Sequence, residues 1–196
     1  TSFEDPLLER MLRTFNDDAL KSADGDIFGR IYEYFLMQFS MQRAQDGGEF
    51  LTPASLVRLL VAGIEPHGGL IVDPACGSGG MFIEVGHHLV DSGKIPNEVA
   101  RFRGQEKSES SVKLAIMNLA VHGLSGTLKE GNTYYDPLED VIGKADYVLA
   151  NPPFNVDSVD AKRIENDPRL AFGLPGVNND EVVSNANYLW ISYFYS

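Results

Sequence analysis

Short apolar runs alternate with longer amphipathic segments along most of this chain. The apolar runs have the length of buried strands and lie at about residues 69–73, 100–105, 126–130 and 145–150. The segments that accompany them have helical spacing and lie at about residues 53–63, 79–91 and 109–122. Repeated strand–helix units of this length predict an α/β fold with a doubly wound, mostly parallel sheet.

Two of the predicted helices carry recognisable end signals. Thr52 is a candidate N-cap, with Pro53 at the first helical position. Ser108 is a candidate N-cap for the helix at 109–122, and Gly123 follows that helix as a C′ residue.

The chain before the first strand has a different pattern. Residues 6–21 and 25–44 have helical spacing, and a glycine-containing turn follows them. We therefore predict an N-terminal helical segment over residues 1–46 and an α/β domain over residues 47–196. The apolar pattern is unfinished at Ser196 and the sequence does not begin with methionine, so we expect a fragment.

Composition limits the class of protein. The 196 residues include 16 Lys and Arg against 28 Asp and Glu, which gives a net charge of −12. A protein that binds duplex DNA by itself usually carries a basic face, so this balance argues against strong autonomous DNA binding. One cysteine excludes an internal disulfide framework, and the four histidines lack metal-ligand spacing. No apolar run is long enough to span a membrane and no secretory pattern is present, so we expect a soluble, cytoplasmic protein with no membrane partner.

The first strand leads directly into a glycine-rich turn. Residues 70–72 are apolar, residues 73–80 read Asp-Pro-Ala-Cys-Gly-Ser-Gly-Gly, and a helical pattern follows. Glycines allow the backbone to approach a ligand closely, and a helix N-terminus favours an anionic group. The glycine spacing departs from the dinucleotide-binding fingerprint, so the turn alone indicates a nucleotide-type ligand or an ordinary strand–helix turn.

The fourth strand leads into a second unusual turn, Asn151-Pro152-Pro153-Phe154. Two prolines stop the strand and fix the backbone, because neither ring supplies an N–H for the sheet. The turn then offers an amide, backbone carbonyls and an aromatic face, which suit a planar group that bears an amino substituent. Alone, this tripeptide is also typical of ordinary turns.

Four motifs together resemble a known family. Asp73-Pro74-Ala75-Cys76-Gly77-Ser78-Gly79-Gly80 and Asn151-Pro152-Pro153-Phe154 resemble the motif pair of amino-group DNA methyltransferases. Gly48-Glu49-Phe50-Leu51-Thr52-Pro53 resembles the family's upstream cofactor motif, and Gly104-Gln105-Glu106-Lys107 resembles its acidic ribose-binding motif. The motifs occur in the family's order, and the pattern is most similar to the modification (methylation) subunit of type I restriction–modification systems.

The resemblance implies a Rossmann-like fold that binds S-adenosylmethionine, with sheet order 3-2-1-4-5. It also implies that C-terminal strands are missing from this chain. The implied cofactor-binding residues are Glu49, Phe50, Leu51, Thr52, Pro53, Asp73, Ala75, Cys76, Gly77, Ser78, Gly79, Gly80, Glu106 and Asn132. Glu106 would accept from the ribose hydroxyls, and Thr52 would bind the methionine carboxylate. Asn132 stands where the family often has an Asp that bonds the adenine of the cofactor. Asp73 would fix the turn or bond the cofactor ammonium through water.

The implied reaction is methyl transfer to the N6 amino group of an adenine that has left the DNA helix. The implied catalytic residues are Asn151, Pro152, Pro153 and Phe154. Asn151 and the Pro152 carbonyl would accept the two amino hydrogens, and Phe154 would stack on the base. No covalent enzyme intermediate is needed, and we interpret Cys76 as a small residue in a tight turn. The implied partners are DNA, a specificity subunit, a restriction subunit and a second copy of the chain.

Two other functions remain open from the sequence. The first is a methyltransferase of the same fold that acts on a protein glutamine or on an RNA guanine amino group. The second is a non-catalytic piece for cofactor binding or assembly. Residues 155–183 form a long predicted loop, which is either a lid near DNA or a disordered connector. The aromatic residues at 188–195 are expected in the core or in an interface.

Overall fold

The computed structural model describes residues 52–156 and 158–196, together with residues 9, 29, 31, 32, 34 and 35. The six isolated positions are helical. Most of the predicted helices at 6–21 and 25–44 lies outside the described residues, as do Glu49, Phe50 and Leu51. The boundary predicted between residues 46 and 47 lies outside them too.

A parallel sheet forms the centre of the described part. Its strands are β1 (Gly69–Asp73), β2 (Ala100–Glu106), β3 (Gly126–Glu130) and β4 (Tyr147–Val148). The order is β3-β2-β1-β4, and every pairing is parallel. This order confirms the prediction for these four strands. β1 therefore lies between β2 and β4, so the turns that follow these three strands meet at one edge of the sheet.

Helices connect the strands much as predicted. They are α1 (Ala54–Ile64), α2 (Gly80–Asp91), α3 (Pro96–Val99), α4 (Glu109–Val121), α5 (Ala161–Ile164) and α6 (Asn187–Tyr195). The Ser108 side chain accepts from Ser111 N, and Gly123 has φ 68°, so both predicted end signals of α4 are confirmed. The short helices α3 and α5 and the helix α6 were not predicted.

The two faces of the sheet bury separate apolar clusters, because successive strand side chains point to opposite faces. One cluster lies among the sheet, α1, α2 and α4, and it includes Val61, Ile71, Phe82, Leu89 and Phe102. The other lies on the opposite face and joins Leu70 and Val72 of β1 to Leu138 and Val141. Burial on both faces explains why β1 is a continuous apolar run.

The fourth strand is shorter than the predicted span of 145–150. Only Tyr147 and Val148 pair with β1, in register with Ile71 and Val72. On one side of this pair, the Asp146 side chain accepts from Leu70 N at 2.7 Å. On the other, the prolines of the following turn cannot donate to a neighbouring strand.

Residues 155–183 were predicted to form a loop that is either a lid or a disordered connector. Within the described residues 158–183, isolated bridges join Asp160 to Val182 and Val177 to Val183. Val159, Ile164 and Val183 are buried with Trp190 and Tyr193 of α6 in a third apolar cluster. The prediction of a disordered connector is therefore wrong for this part, because its apolar residues pack against α6.

The aromatic residues of α6 divide between core and surface. Trp190 and Tyr193 are buried, as expected, while Tyr188 and Tyr195 are exposed. The Trp190 indole N–H donates to Tyr134 Oη at 2.8 Å, which ties α6 to the turn after β3. Among the described residues, no helix is long and apolar enough to cross a membrane.

Replacing Tyr134 by phenylalanine tests this third cluster. Tyr134→Phe leaves the buried Trp190 N–H without its acceptor, so we expect the free energy of unfolding to fall by about 1–3 kcal/mol. Chemical denaturation followed by tryptophan fluorescence measures the change. Tyr195→Phe removes the same hydroxyl from an exposed ring and is expected to change stability by less than about 0.5 kcal/mol. Equal effects of the two variants would contradict the packing described.

Candidate active site

The turn after β1 is a tight, internally bonded bend. The buried Asp73 carboxylate accepts from Ala75 N at 3.0 Å, and Gly79 N donates to Cys76 O at 2.7 Å. Gly79 has φ 82° and is the N-cap of α2. A side chain at Gly79 would also press on Leu119 of α4, at 2.9 Å from its Cδ1 atom. The positive φ is therefore the main reason for glycine at this position, since Leu119 can shift its methyl group.

Three neighbouring elements anchor this turn, and two of the residues involved, Asn118 and Thr133, were not singled out from the sequence. Asn118 of α4 donates from Nδ2 to Ser78 O at 2.9 Å, and Thr133 donates to Pro74 O at 2.5 Å. The carbonyl of Gln105 in β2 accepts from Cys76 N at 2.9 Å. Asn118 is buried within an otherwise ordinary helix pattern. The sequence did contain one indication that Asn118 is buried. Its spacing from the apolar positions 115 and 119 puts it on the apolar face of α4.

Glu106 lies at the end of β2, beside the glycine turn. Its Oε2 accepts from Gly77 N at 3.1 Å, and its Oε1 accepts from Lys107 N and Ser108 N. The carboxylate thus links the turn after β1 to the start of α4. The structure brings Glu106 and the glycine turn into direct contact, as expected if the two motifs serve one ligand.

Asn151 follows β4 and contacts the start of α1. Its Nδ2 donates to Thr52 Oγ1 at 3.0 Å. Thr52 therefore does not cap α1 as predicted: Pro53 is the N-cap residue, no side-chain cap bond forms, and Ala54 begins the helix. The side-chain partner of Thr52 lies 99 residues away, so its hydroxyl joins two motifs that are distant in sequence.

The rest of the second turn is open to solvent. Phe154 is 68% exposed, so one ring face is free to stack on a planar ligand. Asn155 has φ 57°, and its N–H donates to Asn187 Oδ1 at 3.1 Å, which fixes the turn to α6. Among the described residues, the strand β4 and these side-chain contacts hold Asn151 and Phe154 at the same sheet edge as the glycine turn.

Asn132 lies in the turn after β3. Its Oδ1 accepts from Tyr134 N at 3.1 Å, and its carbonyl accepts from Tyr135 N and Asp136 N. The Asp136 carboxylate pairs with Lys129, and its carbonyl accepts from the Gln105 side chain at 2.6 Å. Both residues therefore hold this turn in shape, and the role of Asn132 toward a ligand stays a prediction.

Burial dominates the electrostatics of the first turn. The pKa of Asp73 is raised to about 8, mainly by desolvation, with a lowering contribution from the Ala75 N–H and a smaller raising contribution from the Glu106 charge. Burial and the same two carboxylates raise the pKa of the Cys76 thiol. A thiolate is the nucleophilic form of cysteine, so Cys76 is inert at neutral pH, in agreement with its interpretation as a packing residue.

The raised pKa of Asp73 predicts a pH-dependent stability. The folded-state pKa lies above the unfolded value, so the contribution is fully present below about pH 4 and is lost as the pH rises through about 8. The slope is at most about 1.4 kcal/mol per pH unit. Asp73→Asn keeps an acceptor for Ala75 N but cannot ionise. Urea unfolding of both proteins between pH 4.5 and 8 should show the variant gaining stability relative to the parent as the pH rises. A difference that stays constant would contradict the assignment.

The sequence and the fold were compared with known proteins. The family model described as N-6 DNA Methylase matches residues 23–196. The type I restriction enzyme MjaIX methylase subunit of Methanocaldococcus jannaschii is 42% identical over 173 residues, which cover 86% of this chain and 30% of that protein. The HindI methylase subunit of Haemophilus influenzae is 33% identical over 182 residues, which cover 92% of this chain and 39% of that protein.

A solved structure gives the same result for the fold. The type I restriction–modification system methyltransferase subunit from Streptococcus thermophilus matches with a TM-score of 0.69 at 26% identity, covering 89% of this chain and 36% of that one. The fold is that of the S-adenosylmethionine-dependent methyltransferases. The chain spans about a third of the length of these relatives. Its motif turns share one sheet edge and the family match runs from residue 23 to residue 196, and on these grounds the chain belongs to the N-6 DNA methylase family.

Proposed function

We propose that this chain is the cofactor-binding and target-base-binding part of a subunit that methylates the N6 amino group of adenine in DNA, within a type I restriction–modification system. The observation that carries the proposal is the parallel pairing of β1 with β4, in which Val72 lies opposite Val148. This pairing sets the glycine turn and the Asn151 turn beside one crevice. The division into a helical segment at 1–46 and a catalytic domain at 47–196 is part of the same proposal.

The first turn fits S-adenosylmethionine, the cofactor of this fold and family. A Cβ atom built on Gly77 or Gly80 would meet no other atom within 4 Å, so the backbone there faces open space. Glu106 is a carboxylate at the adjoining strand end, where a ribose diol can add to its hydrogen bonds or replace the one from Gly77. The N-terminal ends of α1 and α2 favour a ligand carboxylate. The proposed cofactor-binding residues are those that the motif resemblance implies. They include Thr52, Asp73, Glu106 and Asn132.

The second turn fits an amino-bearing base. When bound, S-adenosylmethionine supplies an electrophilic methyl group on a sulfonium sulfur. The side-chain oxygen of Asn151 and the Pro152 carbonyl accept the two amino hydrogens and so hold the nitrogen lone pair toward the crevice. The prolines keep these acceptors rigid, and the exposed Phe154 ring offers stacking worth about 1–3 kcal/mol. Part of the cost of extruding the base, on the order of a few kcal/mol, is offset in this way.

The charge of the chain supports a role inside a larger assembly. A net charge of −12 disfavours contact with DNA phosphates, so the affinity for DNA must come from elsewhere. We propose that a specificity subunit and the remaining part of the methylation subunit supply it. A restriction subunit and a second methylation subunit complete the proposed complex.

Transfer of labelled methyl groups tests the proposal. The intact subunit, with its specificity partner and methyl-labelled S-adenosylmethionine, should label DNA at N6 of adenine, as identified by mass spectrometry of the nucleosides. Label on a protein glutamine or on RNA guanine would overturn the choice of substrate. Cofactor binding without label on any of the three would indicate a non-catalytic role.

A further inference from the structure

The hydrogen bond between Thr52 and Asn151 connects the two ligand regions of the proposed site. Thr52 immediately precedes the N-cap of α1, where the methionine carboxylate of the cofactor is proposed to bind. Asn151 follows β4, where the target amino group is proposed to bind. The 3.0 Å contact between Asn151 Nδ2 and Thr52 Oγ1 thus places one hydroxyl between the proposed carboxylate site and the Asn151 amide.

A threonine hydroxyl both accepts and donates a hydrogen bond. Toward Asn151, Thr52 acts as acceptor, which leaves its own hydrogen to be donated. If that hydrogen is not held elsewhere, the hydroxyl can equally donate to Asn151 Oδ1, and the amide can then turn by 180°. Only one of these two amide orientations directs Oδ1 toward a substrate amino group.

We propose that Thr52 is a positioning residue through which cofactor binding fixes the orientation of the Asn151 amide. This inference rests on the proposed function. When the Thr52 hydroxyl donates to the cofactor carboxylate, its oxygen can only accept from Asn151. Asn151 must then present Nδ2 to Thr52 and keep Oδ1 for the target amino group. In such a chain of hydrogen bonds each bond also strengthens the next.

This chain of hydrogen bonds, from the cofactor carboxylate through Thr52 to Asn151, is called the relay. It makes the extruded base bind more tightly after the cofactor has bound. With the cofactor in place, Asn151 is already set to accept an amino hydrogen, so the extruded base binds more tightly. We expect the gain to be about two- to twelvefold, the range that one hydrogen bond of about 0.5–1.5 kcal/mol provides. A ligand that has the nucleoside but lacks the methionine carboxylate should bind without this gain.

The test uses the intact subunit with its specificity partner and DNA that carries 2-aminopurine next to an intact target adenine, because 2-aminopurine itself lacks the 6-amino group that Asn151 is proposed to bind. The fluorescence of 2-aminopurine reports extrusion of the neighbouring adenine, and calorimetry reports cofactor-site affinity. S-Adenosylhomocysteine is the probe with a carboxylate, and 5′-methylthioadenosine is the matched probe without one. In the parent protein, the first should raise the affinity for the extruded base and the second should not.

Three variants test whether the gain in base affinity depends on the Thr52 hydroxyl. Thr52→Val keeps the shape but should abolish the gain in base affinity, while Thr52→Ser should restore it. Thr127→Val makes the same change at an exposed position of β3 and should behave as the parent does. Thermal unfolding of each variant verifies that the fold is intact.

Two results would overturn the relay while leaving the proposed function standing. One is an equal gain with both probes in the parent protein. The other is a Thr52→Val variant that loses affinity for S-adenosylhomocysteine but keeps the full gain in base affinity, since Thr52 would then be only a cofactor contact. If the parent protein fails to bind S-adenosylhomocysteine at all, the proposed function fails and the relay fails with it.

Discussion

Replacing Asn151 by alanine is expected to lower kcat for DNA methylation by about 10²–10³-fold, the usual effect of losing one fixed polar contact to a reacting group. The side-chain oxygen would no longer accept an amino hydrogen, and the lone pair of the nitrogen would no longer be held toward the methyl group. The affinity for S-adenosylmethionine should change little, because among the described residues the side chain of Asn151 reaches the cofactor region through Thr52. Single-turnover kinetics and calorimetry on the intact subunit measure the two quantities separately.

Asn166→Ala is a matched control for this variant, because Asn166 is exposed and its amide makes a weak 3.4 Å contact with its neighbour Glu165. It should leave kcat and stability unchanged. An Asn151→Ala variant with near-normal kcat would remove this turn from the chemistry.

Replacing Glu106 by glutamine is expected to weaken S-adenosylmethionine binding by about 10–100-fold. Glutamine keeps the size of the side chain but replaces a charged acceptor, and hydrogen bonds to charged groups contribute about 1.5–3 kcal/mol. The contact with Gly77 N also loses its charge, so the glycine turn is held less firmly. Calorimetry with the cofactor gives the affinity, and kcat at saturation should be affected far less than KM.

Glu130→Gln is the matched control for Glu106. Glu130 ends β3 in register with Glu106 and is exposed to solvent. If the cofactor site needs only a negative field at this sheet edge, the two variants will weaken binding equally. A specific ribose contact predicts that only Glu106→Gln does so.

The sequence was sufficient to place the four strands and the boundaries of α1, α2 and α4. β1 is a continuous apolar run bounded by Gly69 and Asp73, and burial on both faces is what such a run indicates. Ser108 and Gly123 marked the ends of α4 because local backbone geometry demands those residue types. Strand order came from the family resemblance, since spacing alone does not determine which strands are neighbours.

Sequence patterns of this kind do not predict contacts between distant segments. Thr52 looked like a cap, yet its hydroxyl contacts Asn151, and no local rule selects a partner so far along the chain. Asn118 looked like one polar residue in an amphipathic helix, although it is buried and holds Ser78. Residues 155–183 looked like a loop because of their Asp, Asn, Gly and Pro residues, and only the packing of Val159, Ile164 and Val183 with Trp190 shows that this part contributes to a core.

A crystal structure of the intact subunit with its specificity partner, target DNA and a non-reactive cofactor analogue would test whether the donor and the base share one crevice. We predict the analogue against the glycine turn and Glu106, with an extruded adenine at Asn151 and Phe154. The adenine N6 atom should lie within about 3–3.5 Å of the position of the transferable group. An analogue bound at another edge of the sheet, or an extruded adenine held away from Asn151, would contradict the shared crevice.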